Sequence, residues 1–213
     1  MEKIIEIKNL SKTFKDNSIL ENVDFSVEKG DIVGLTGTNG CGKSVLLKII
    51  CGLIKAEQGE ILVDGVKVEG GCFPQNIGVI LDCAGFLPYA TGFDNLWELA
   101  RIRKRINKDD VTKVLDRVGL GSSRKIPVGK YSLGMKQRLA IAQAIMEHPS
   151  ILVLDEPFNA IDENTKQEFE AMLRELNEEE NVTIIMTSHH KDEIAALCTK
   201  VYQIKDKKIN LIS

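Results

Sequence analysis

The strongest chemical pattern in the sequence is a glycine-rich stretch that ends in Lys-Ser and fits GxxxxGK[ST], with one extra glycine. Glycines let the backbone approach a polyphosphate closely, and their N–H groups bind its oxygens together with the positive end of a following helix. In such a loop the lysine contacts the β- and γ-phosphates and assists catalysis there, and the serine binds Mg²⁺. The stretch, which we call the phosphate loop, consists of Gly37, Thr38, Asn39, Gly40, Cys41, Gly42, Lys43 and Ser44.

The surroundings of the phosphate loop fit this interpretation. The loop follows the apolar run Ile32–Thr36, which is typical of a buried strand, and it opens the helical segment SVLLKIICGL. The alternative is a glycine-rich turn before a helix that ends in Lys-Ser by chance. Since the strand–loop–helix order is the context that phosphate binding needs, the sequence favours a nucleotide site.

Two acids and a histidine follow two other apolar runs. Asp155 and Glu156 come directly after Ile151–Leu154, and His189 follows Val182–Thr187. Open α/β sheets bind their ligands at the carboxyl ends of parallel strands. We therefore expect Asp155 to hold Mg²⁺ and Glu156 to polarise a water for attack on the γ-phosphate. By itself, each acid also fits a strand that ends in a polar turn, and a lone histidine in this place is more often structural.

The three apolar runs predict an α/β fold with a mostly parallel sheet, because each is short, almost wholly apolar and followed by a helix-like segment. The N-terminal pattern is different. Ile4–Ile7 and Ile19–Val27 alternate in polarity, and Glu60–Val68 contains an Asp64-Gly65 turn that is typical of a β-hairpin. We expect an antiparallel β-layer in this part of the chain.

The middle third of the chain has helical periodicity. Apolar residues recur at helical spacing in Asn95–Ile106, Lys108–Val118 and Leu133–Glu147. We expect an α-helical subdomain over about residues 84–147, inserted into the core of a single domain that covers residues 1–213. The predicted fold is therefore α/β, a P-loop NTPase core with a mostly parallel sheet, an N-terminal antiparallel β-layer and an inserted helical subdomain.

Composition narrows the classes of function. A formal net charge of −3 gives no reason to expect a basic surface, so we expect no nucleic-acid partner. The five cysteines form no CxxC pair and indicate reduced thiols in a cytosolic protein. The most apolar stretch near the N-terminus, Val45–Ile54, contains Lys48 and is shorter than the about 20 apolar residues of a membrane span. If the protein serves a membrane process, we expect a partner to supply the membrane-spanning part.

The order of these elements resembles the ATP-binding-cassette (ABC) family over essentially the whole chain. The most discriminating part is YSLGMKQRLAIA at residues 131–142, which is similar to the family's LSGGQ signature and the helix after it. The resemblance implies that Ser132 and Gly134 bind the γ-phosphate of an ATP held by the opposite subunit. The residues alone also fit an ordinary helix start that is capped by Ser132.

The resemblance implies roles for further residues. Phe14 stands where an aromatic ring stacks on adenine, although an isolated aromatic of this kind is more typical of a core. Residues 159–162 resemble the D-loop, which runs along the dimer interface. Glu156 is implied as the catalytic base, and His189 as the switch histidine that supports the transition state.

The sequence departs from the family pattern at three positions. Asp82 stands where the family has the glutamine of its Q-loop, and an acid there is able to bind Mg²⁺ close to the γ-phosphate. Leu133 and Met135 replace a glycine and the glutamine of the signature. An acid in the Q-loop together with YSLGMKQR is similar to the bacitracin-resistance and lantibiotic-immunity branch of exporters.

These resemblances imply the ATP-hydrolysing subunit of an ABC transporter that uses ATP and Mg²⁺ and exports peptides, antibiotics or other amphipathic compounds. Two nucleotide-binding subunits, identical or homologous, are expected to enclose two ATP molecules head to tail. Membrane-spanning permease subunits are expected to dock on residues 84–97, which places the chain in the cytoplasm, peripheral on the inner face of the cell membrane. The alternatives are a soluble ABC-type ATPase, for example in iron–sulfur cluster assembly, and a nucleotide-binding regulator without turnover.

Overall fold

The computed structural model describes residues 2–81, 85–159 and 161–213, and of Lys191 the backbone only. Ten strands lie within these ranges. They are β1 (Lys3–Phe14), β2 (Asn17–Glu28), β3 (Ile32–Thr36), β4 (Gln58–Val63), β5 (Val66–Lys67), β6 (Ile77–Ile80), β7 (Ile151–Leu154), β8 (Thr183–Thr187), β9 (Lys200–Lys205) and β10 (Lys208–Leu211). The three predicted apolar strands are β3, β7 and β8, and β8 begins one residue later than predicted.

The same ranges contain six α-helices. They are α1 (Lys43–Ile50), α2 (Gly92–Arg103), α3 (Lys108–Arg117), α4 (Leu133–Ile145), α5 (Glu163–Glu180) and α6 (Lys191–Leu197). Helices α2 to α4 match the three helices predicted in the middle third. Helix α2 begins three residues earlier than predicted because Thr91 caps it. The Thr91 side chain accepts the N–H of Asp94, and the Asp94 side chain accepts the N–H of Thr91.

Six strands form one sheet in the order β10-β9-β3-β8-β7-β6. The five strands from β9 to β6 run parallel, and β10 pairs antiparallel with β9 at one edge. This arrangement confirms the α/β fold class with a mostly parallel sheet. Every residue of β7 and β8 is buried, which explains why these runs show no polar alternation in the sequence.

Strand β7 shows how the buried strands divide between two cores. Leu152 and Leu154 pack in the core that contains residues of α2 to α5, whereas Ile151 and Val153 pack in the core that contains α1 and the N-terminal strands. The two sets alternate along the strand because successive side chains point to opposite faces of a sheet. Both faces of the parallel sheet are therefore covered.

The N-terminal strands form the predicted antiparallel layer, a sheet with the order β2-β1-β4-β5. The predicted hairpin is present as β4 and β5, with Val63 paired to Val66. Its two turn residues, Asp64 and Gly65, have φ of 51° and 71°. Positive φ at both central residues is the requirement of a type I′ turn, which explains the Asp-Gly sequence.

The helices α2 to α4 lie between β6 and β7 in the chain, and α4 packs directly against β6. The division into a core and a subdomain at about residues 84–147 stays a prediction. In the described part of the chain, none of the helices has the length and apolar character needed to cross a bilayer.

The contact between α4 and β6 requires a glycine at position 78. A Cβ built there overlaps the carbonyl oxygen of Ala144 in α4 and lies 2.8 Å from Cδ2 of Leu152. We expect Gly78→Ala to lower the free energy of unfolding by about 2 kcal/mol or more, since backbone must move to relieve the overlap. The measurement is urea denaturation of the purified protein.

The matched control for this substitution is Gly85→Ala, because no atom of the described residues lies within 4 Å of a Cβ built at Gly85. This variant should unfold at the urea concentration of the wild type. Equal midpoints for Gly78→Ala and Gly85→Ala would contradict the close packing of α4 on β6.

Candidate active site

Three adjacent strands carry the residues predicted for catalysis. Strand β8 lies between β3 and β7, and the parallel pairings continue to Thr187 and Leu154. The phosphate loop, Asp155 with Glu156, and His189 therefore leave the sheet at the same edge. Neighbouring strands are about 4.8 Å apart, so β3 and β7 end about 10 Å from each other. A phosphate chain with its Mg²⁺ is able to bridge this interval.

The phosphate loop connects β3 to α1, and two of its glycines are required by its shape. Gly37 and Gly42 have φ of 147° and 112°, in the range that residues with a Cβ rarely adopt. A Cβ on Gly42 would lie 2.9 Å from Cγ2 of Ile19 in β2, and one on Gly37 would lie 2.7 Å from the carbonyl oxygen of Ile204 in β9. Larger residues at these positions would displace the loop.

Lys43 is the first residue of α1 and is 7% exposed. Its Nζ donates to the carbonyl oxygens of Gly37 at 2.9 Å and Thr38 at 3.4 Å, so the ammonium group lies over the loop. This charge and the free N–H groups at the start of α1 form one positive site, which suits a polyphosphate. In the rest of the loop, the exposed residues are Thr38, Asn39 and Gly40, and the half-buried residues with side chains are Cys41 and Ser44.

Asp155 and Glu156 are tied to both strands that flank β7. The N–H of Asp155 donates to the carbonyl oxygen of Ile80 in β6 at 2.7 Å, and the N–H of Glu156 donates to Oγ1 of Thr187 in β8 at 2.9 Å. The Thr187 hydroxyl in turn donates to Oδ1 of Asp155 at 2.6 Å. Sequence reasoning treated Thr187 only as part of a strand. One feature of the sequence could have indicated its role: Thr187 is a polar residue at the end of an apolar run, where the strand reaches the predicted ligand-binding edge of the sheet.

Glu156 combines backbone strain with an imidazole contact. Its φ of 48° lies in the left-handed region, which costs about 1–2 kcal/mol for a residue with a Cβ, and such strain is concentrated at functional sites. Oε2 of Glu156 lies 2.8 Å from Nδ1 of His189, and the two side chains are 24% and 44% exposed. A carboxylate held in this way and open to solvent is placed to accept a proton from water.

The loop that carries His189 is anchored by a buried acid that sequence reasoning missed. Glu193, 6% exposed on α6, accepts the Ser188 hydroxyl at 2.5 Å and lies 3.4 Å from Nζ of Lys166 on α5. Ser188 also accepts the N–H of His190 at 2.9 Å. Ser188, next to His189, is thus bonded to Glu193 of α6, and Glu193 connects it to Lys166 of α5.

The signature residues lie at the start of α4, on the surface. Ser132 is the N-cap, and its hydroxyl accepts the N–H of Met135 at 3.2 Å. The atoms nearest to a Cβ on Gly134 belong to Thr165 and Asp162 of the α5 start, at 3.4 Å and beyond. The structure therefore places Gly134 beside the start of α5, and none of these nearest atoms belongs to the phosphate loop of the same chain. The predicted contact of Ser132 and Gly134 with ATP of an opposite subunit stays a prediction.

Helix α4 is connected to the loop that follows Glu156. Nε2 of Gln137 donates to the carbonyl oxygen of Pro157 at 2.6 Å. In the segment that resembles the D-loop, Asn159 is exposed and Asp162 caps α5 by accepting the N–H of Thr165 at 3.0 Å. Ala160 of that segment lies outside the described residues.

Of two further residues predicted to contact the ligand, Phe14 and Asp82, the structure describes only Phe14. Phe14 ends β1 with 43% of its surface exposed, and Nζ of Lys12 lies 4.7 Å from its ring centroid. The β1–β2 hairpin of Phe14 also carries Ile19, which packs against Gly42 of the phosphate loop. Asp82, the predicted additional Mg²⁺ ligand, lies outside the described residues. Its role and the adenine contact of Phe14 stay predictions.

Comparison with protein families identifies this arrangement. The family model described as ABC transporter matches residues 20–159, a range that contains the phosphate loop, the signature and both carboxylates. The chain belongs to the ABC transporter family. The uncharacterized ABC transporter ATP-binding protein YybJ of Bacillus subtilis (strain 168) is 43% identical to this ABC protein over 92% of the chain and 89% of YybJ. The resemblance inferred from the sequence is confirmed.

Other relatives and solved structures agree with this assignment. The bacitracin transport ATP-binding protein BcrA of Enterococcus faecalis is 37% identical over 91% of the chain and 64% of BcrA. The ATP-binding cassette MJ0796, solved as a dimer in a post-hydrolysis state bound to ADP and Pi, superposes with a TM-score of 0.86 at 26% identity, over 97% of this chain and 96% of that chain. The cassette MJ1267 superposes at 0.87 with 22% identity, over 99% and 90% of the two chains, and supports the fold.

This ABC protein is an ATP-binding subunit and an ATPase that uses Mg²⁺, as the family does. The residues present fit the metal. Ser44 and Asp155 offer a hydroxyl and a carboxylate, and Mg²⁺ in phosphate sites prefers oxygen ligands of this kind. Because Oδ1 of Asp155 already accepts the Thr187 hydroxyl, that carboxylate is held in one orientation beside the sheet edge.

The position of Cys41 predicts inhibition by thiol alkylation. Cys41 lies half-buried inside the phosphate loop, whereas burial raises the pKa of Cys51 and Cys198 to about 12 and leaves them as unreactive thiols near neutral pH. We expect N-ethylmaleimide at pH 8 to abolish ATPase activity and ATP to protect against it, because the adduct occupies the space of the phosphates. The measurement is residual activity against time of modification.

Two variants separate Cys41 from the exposed Cys72. Cys41→Ala should resist the reagent, and Cys72→Ala should remain as sensitive as the wild type. Equal sensitivity of Cys41→Ala and the wild type would show that inhibition arises elsewhere.

Proposed function

We propose that this ABC protein is the ATP-hydrolysing subunit of an exporter of peptides, antibiotics or other amphipathic compounds. The observation that carries the proposal is the meeting of the phosphate loop, Asp155, Glu156 and His189 at one edge of the parallel sheet. Phosphoryl transfer depends on positioning and on stabilisation of charge, and these residues supply phosphate binding, metal binding and a base at a single place.

Each residue has a distinct role in the proposed site. Lys43 and the start of α1 bind the β- and γ-phosphates, and Ser44 and Asp155 hold Mg²⁺, which neutralises phosphate charge when bound. Glu156 accepts a proton from the attacking water. His189, held at Oε2 of Glu156, orients that carboxylate and contacts the γ-phosphate.

We also propose that the complete site needs a second nucleotide-binding subunit. Ser132 and Leu133 are exposed at the free start of α4, where unpaired N–H groups and the helix dipole suit a phosphate. In a head-to-tail pair, identical or homologous, Ser132 and Gly134 of one chain bind the γ-phosphate on the phosphate loop of the other. The dimeric MJ0796 cassette supports this arrangement.

The permease partner is proposed to dock on residues 84–97, at the cytoplasmic face of the cell membrane. In the described part of this segment, Leu87 and Tyr89 have 44% and 78% of their surface exposed. Trp97, by contrast, is half-buried against the helical core. A partner is able to contact only exposed apolar side chains, so Leu87 and Tyr89 are stronger candidates than Trp97 in this segment.

The proposed direction of transport rests on relatives. BcrA of Enterococcus faecalis, named for bacitracin transport, is 37% identical to this chain, whereas the Fe(3+) ions import ATP-binding protein FbpC of Photobacterium profundum is 30% identical. Both belong to the same family, so the higher identity to BcrA supports transport of a bacitracin-like compound. Export, as the direction, rests on the resemblance of the signature to the bacitracin-resistance branch of exporters.

Glu156→Gln tests the proposed base. The amide keeps the size of the side chain but cannot accept a proton, so we expect kcat to fall by about 10²–10⁴-fold while ATP affinity stays unchanged. With ATP bound and not consumed, the variant should elute as a dimer in gel filtration. The measurements are phosphate release, ATP titration and elution volume.

The control for that variant is Glu163→Gln, which makes the same change in an exposed glutamate at the start of α5. It should hydrolyse ATP at the wild-type rate. Rapid hydrolysis by Glu156→Gln would remove Glu156 from the role of base.

Affinity purification from detergent-solubilised membranes of the protein's own cells tests the partner. We expect a membrane protein with several spans to copurify in stoichiometric amount. Leu87→Asp should weaken this copurification, because it places a charge in the proposed apolar contact. Leu211→Asp, at another exposed leucine (59% of its surface), should have no effect.

Recovery of soluble partners only would favour the alternative of a cytosolic ABC-type ATPase, for example in iron–sulfur cluster assembly. Equal loss of the membrane partner in Leu87→Asp and Leu211→Asp would reject docking on residues 84–97.

A further inference from the structure

The Thr187 hydroxyl is a fully buried polar group that bonds to both members of the acidic pair. Thr187 is 0% exposed at the last position of β8. Its Oγ1 accepts the N–H of Glu156 at 2.9 Å and donates to Oδ1 of Asp155 at 2.6 Å. A hydroxyl has one hydrogen to donate and lone pairs that accept, so a single group makes both bonds at once.

We propose that Thr187 is a positioning residue for ATP hydrolysis, which sets the Mg²⁺-binding orientation of Asp155 and the backbone conformation of Glu156. The proposal rests on the metal and base roles proposed above for these two acids. Thr187 itself acts through them and does not need to contact the nucleotide.

The backbone of the acidic pair explains why a side chain is needed at this point. The N–H of Asp155 is bonded to Ile80 of β6 by an ordinary backbone hydrogen bond. At Glu156 the chain turns away from the sheet with φ of 48°, and the Thr187 side chain takes its N–H instead of a strand carbonyl. The hydrogen bond gives the Glu156 N–H an acceptor that the sheet does not provide, and it stabilises the left-handed backbone conformation of Glu156.

The same strand end holds Glu156 at two points. Thr187 binds its backbone N–H, and His189, two residues later, contacts its carboxylate at 2.8 Å. Ser188 between them is committed to Glu193 and to the N–H of His190. Its hydroxyl is therefore not free to replace that of Thr187.

The orientation of Asp155 follows from the second bond. Since Oδ1 accepts the Thr187 hydroxyl, the carboxylate cannot rotate freely and its remaining lone pairs keep a fixed direction. A metal ligand that is held by an outer hydrogen bond binds more tightly than a free one, because less ordering is needed when the ion arrives.

Strand β8 contains a matched control. Thr183, also 0% exposed, lies at the opposite end of β8, where its Oγ1 accepts the N–H of Gly30 at 2.9 Å. Threonine and valine have nearly the same shape. Thr187→Val and Thr183→Val therefore remove the same buried hydroxyl from the same strand, one beside the acidic pair and one away from it.

The test uses the purified full chain with Thr187→Val, Thr187→Ser and Thr183→Val. For Thr187→Val we expect kcat to fall about tenfold and the Mg²⁺ concentration for half-maximal turnover to rise about tenfold, the scale of one lost hydrogen bond to a charged group. By calorimetry, ADP affinity in EDTA should be unchanged, and the gain in ADP affinity on adding Mg²⁺ should be reduced. Thr187→Ser keeps the hydroxyl, so its kcat and its Mg²⁺ dependence should stay at the wild-type level. Thr183→Val should also match the wild type in kcat and in Mg²⁺ dependence.

Two results would overturn the proposal. The first is wild-type turnover and Mg²⁺ dependence in Thr187→Val. The second is an equal loss of activity in Thr187→Val and Thr183→Val with an equal fall in Tm, which would mean that the hydroxyls serve only the stability of β8.

The Glu156→Gln variant separates these outcomes from a failure of the site assignment. If Glu156→Gln is inactive and Thr187→Val is normal, only the positioning role is wrong. If Glu156→Gln hydrolyses ATP at the wild-type rate, the assignment of the acids is wrong and the role of Thr187 is wrong with it.

Discussion

The parallel pairing of β3, β8 and β7 is the constraint on which the site depends. Strands β7 and β8 are buried completely, and β3 almost so, so their backbone N–H and C=O groups must bond to neighbouring strands because water cannot reach them. That requirement fixes the three strands side by side, with their carboxyl ends together. The phosphate loop, the acidic pair and His189 meet because each follows the end of one of these strands within two residues. The burial of these strands in the core therefore brings the site residues together, in addition to the contacts that they make with one another.

Charges of both signs are distributed over this edge in a way that suits a nucleotide with its metal. The phosphate loop presents the Lys43 ammonium and the start of α1, and the end of β7, about 10 Å away, presents two acids. Neither group lies free. Lys43 is bonded to loop carbonyls, and the acids are bonded to Thr187 and His189. Because these bonds already hold the side chains in place, less conformational entropy is lost when the substrate binds.

The signature depends on a different part of the fold. Helix α4 is packed on β6 and bonded through Gln137 to the loop after Glu156, yet its start faces α5 and solvent. Helix α4 thus connects the loop after Glu156 in one site to the phosphate-binding end that is proposed to serve another. The buried Glu193, bonded to Ser188 and Lys166, makes a second connection, from α5 to the loop of His189.

The sequence by itself determined the nature of the parts: the glycine pattern of the phosphate loop, the apolar runs ending in acids or histidine, the Asp-Gly hairpin and the three middle helices, because these signals are local in the chain. It indicated α5 and α6 only as helix-like segments without bounds, after the second and third apolar runs, and it did not predict β6, β9 or β10. Only the tertiary structure decided that Thr187 bonds to Asp155 and Glu156 and that Glu193 anchors Ser188. Those bonds join residues on different elements, from loop to strand and from loop to helix, and a buried hydroxyl or acid acquires its partner only when separate segments pack together.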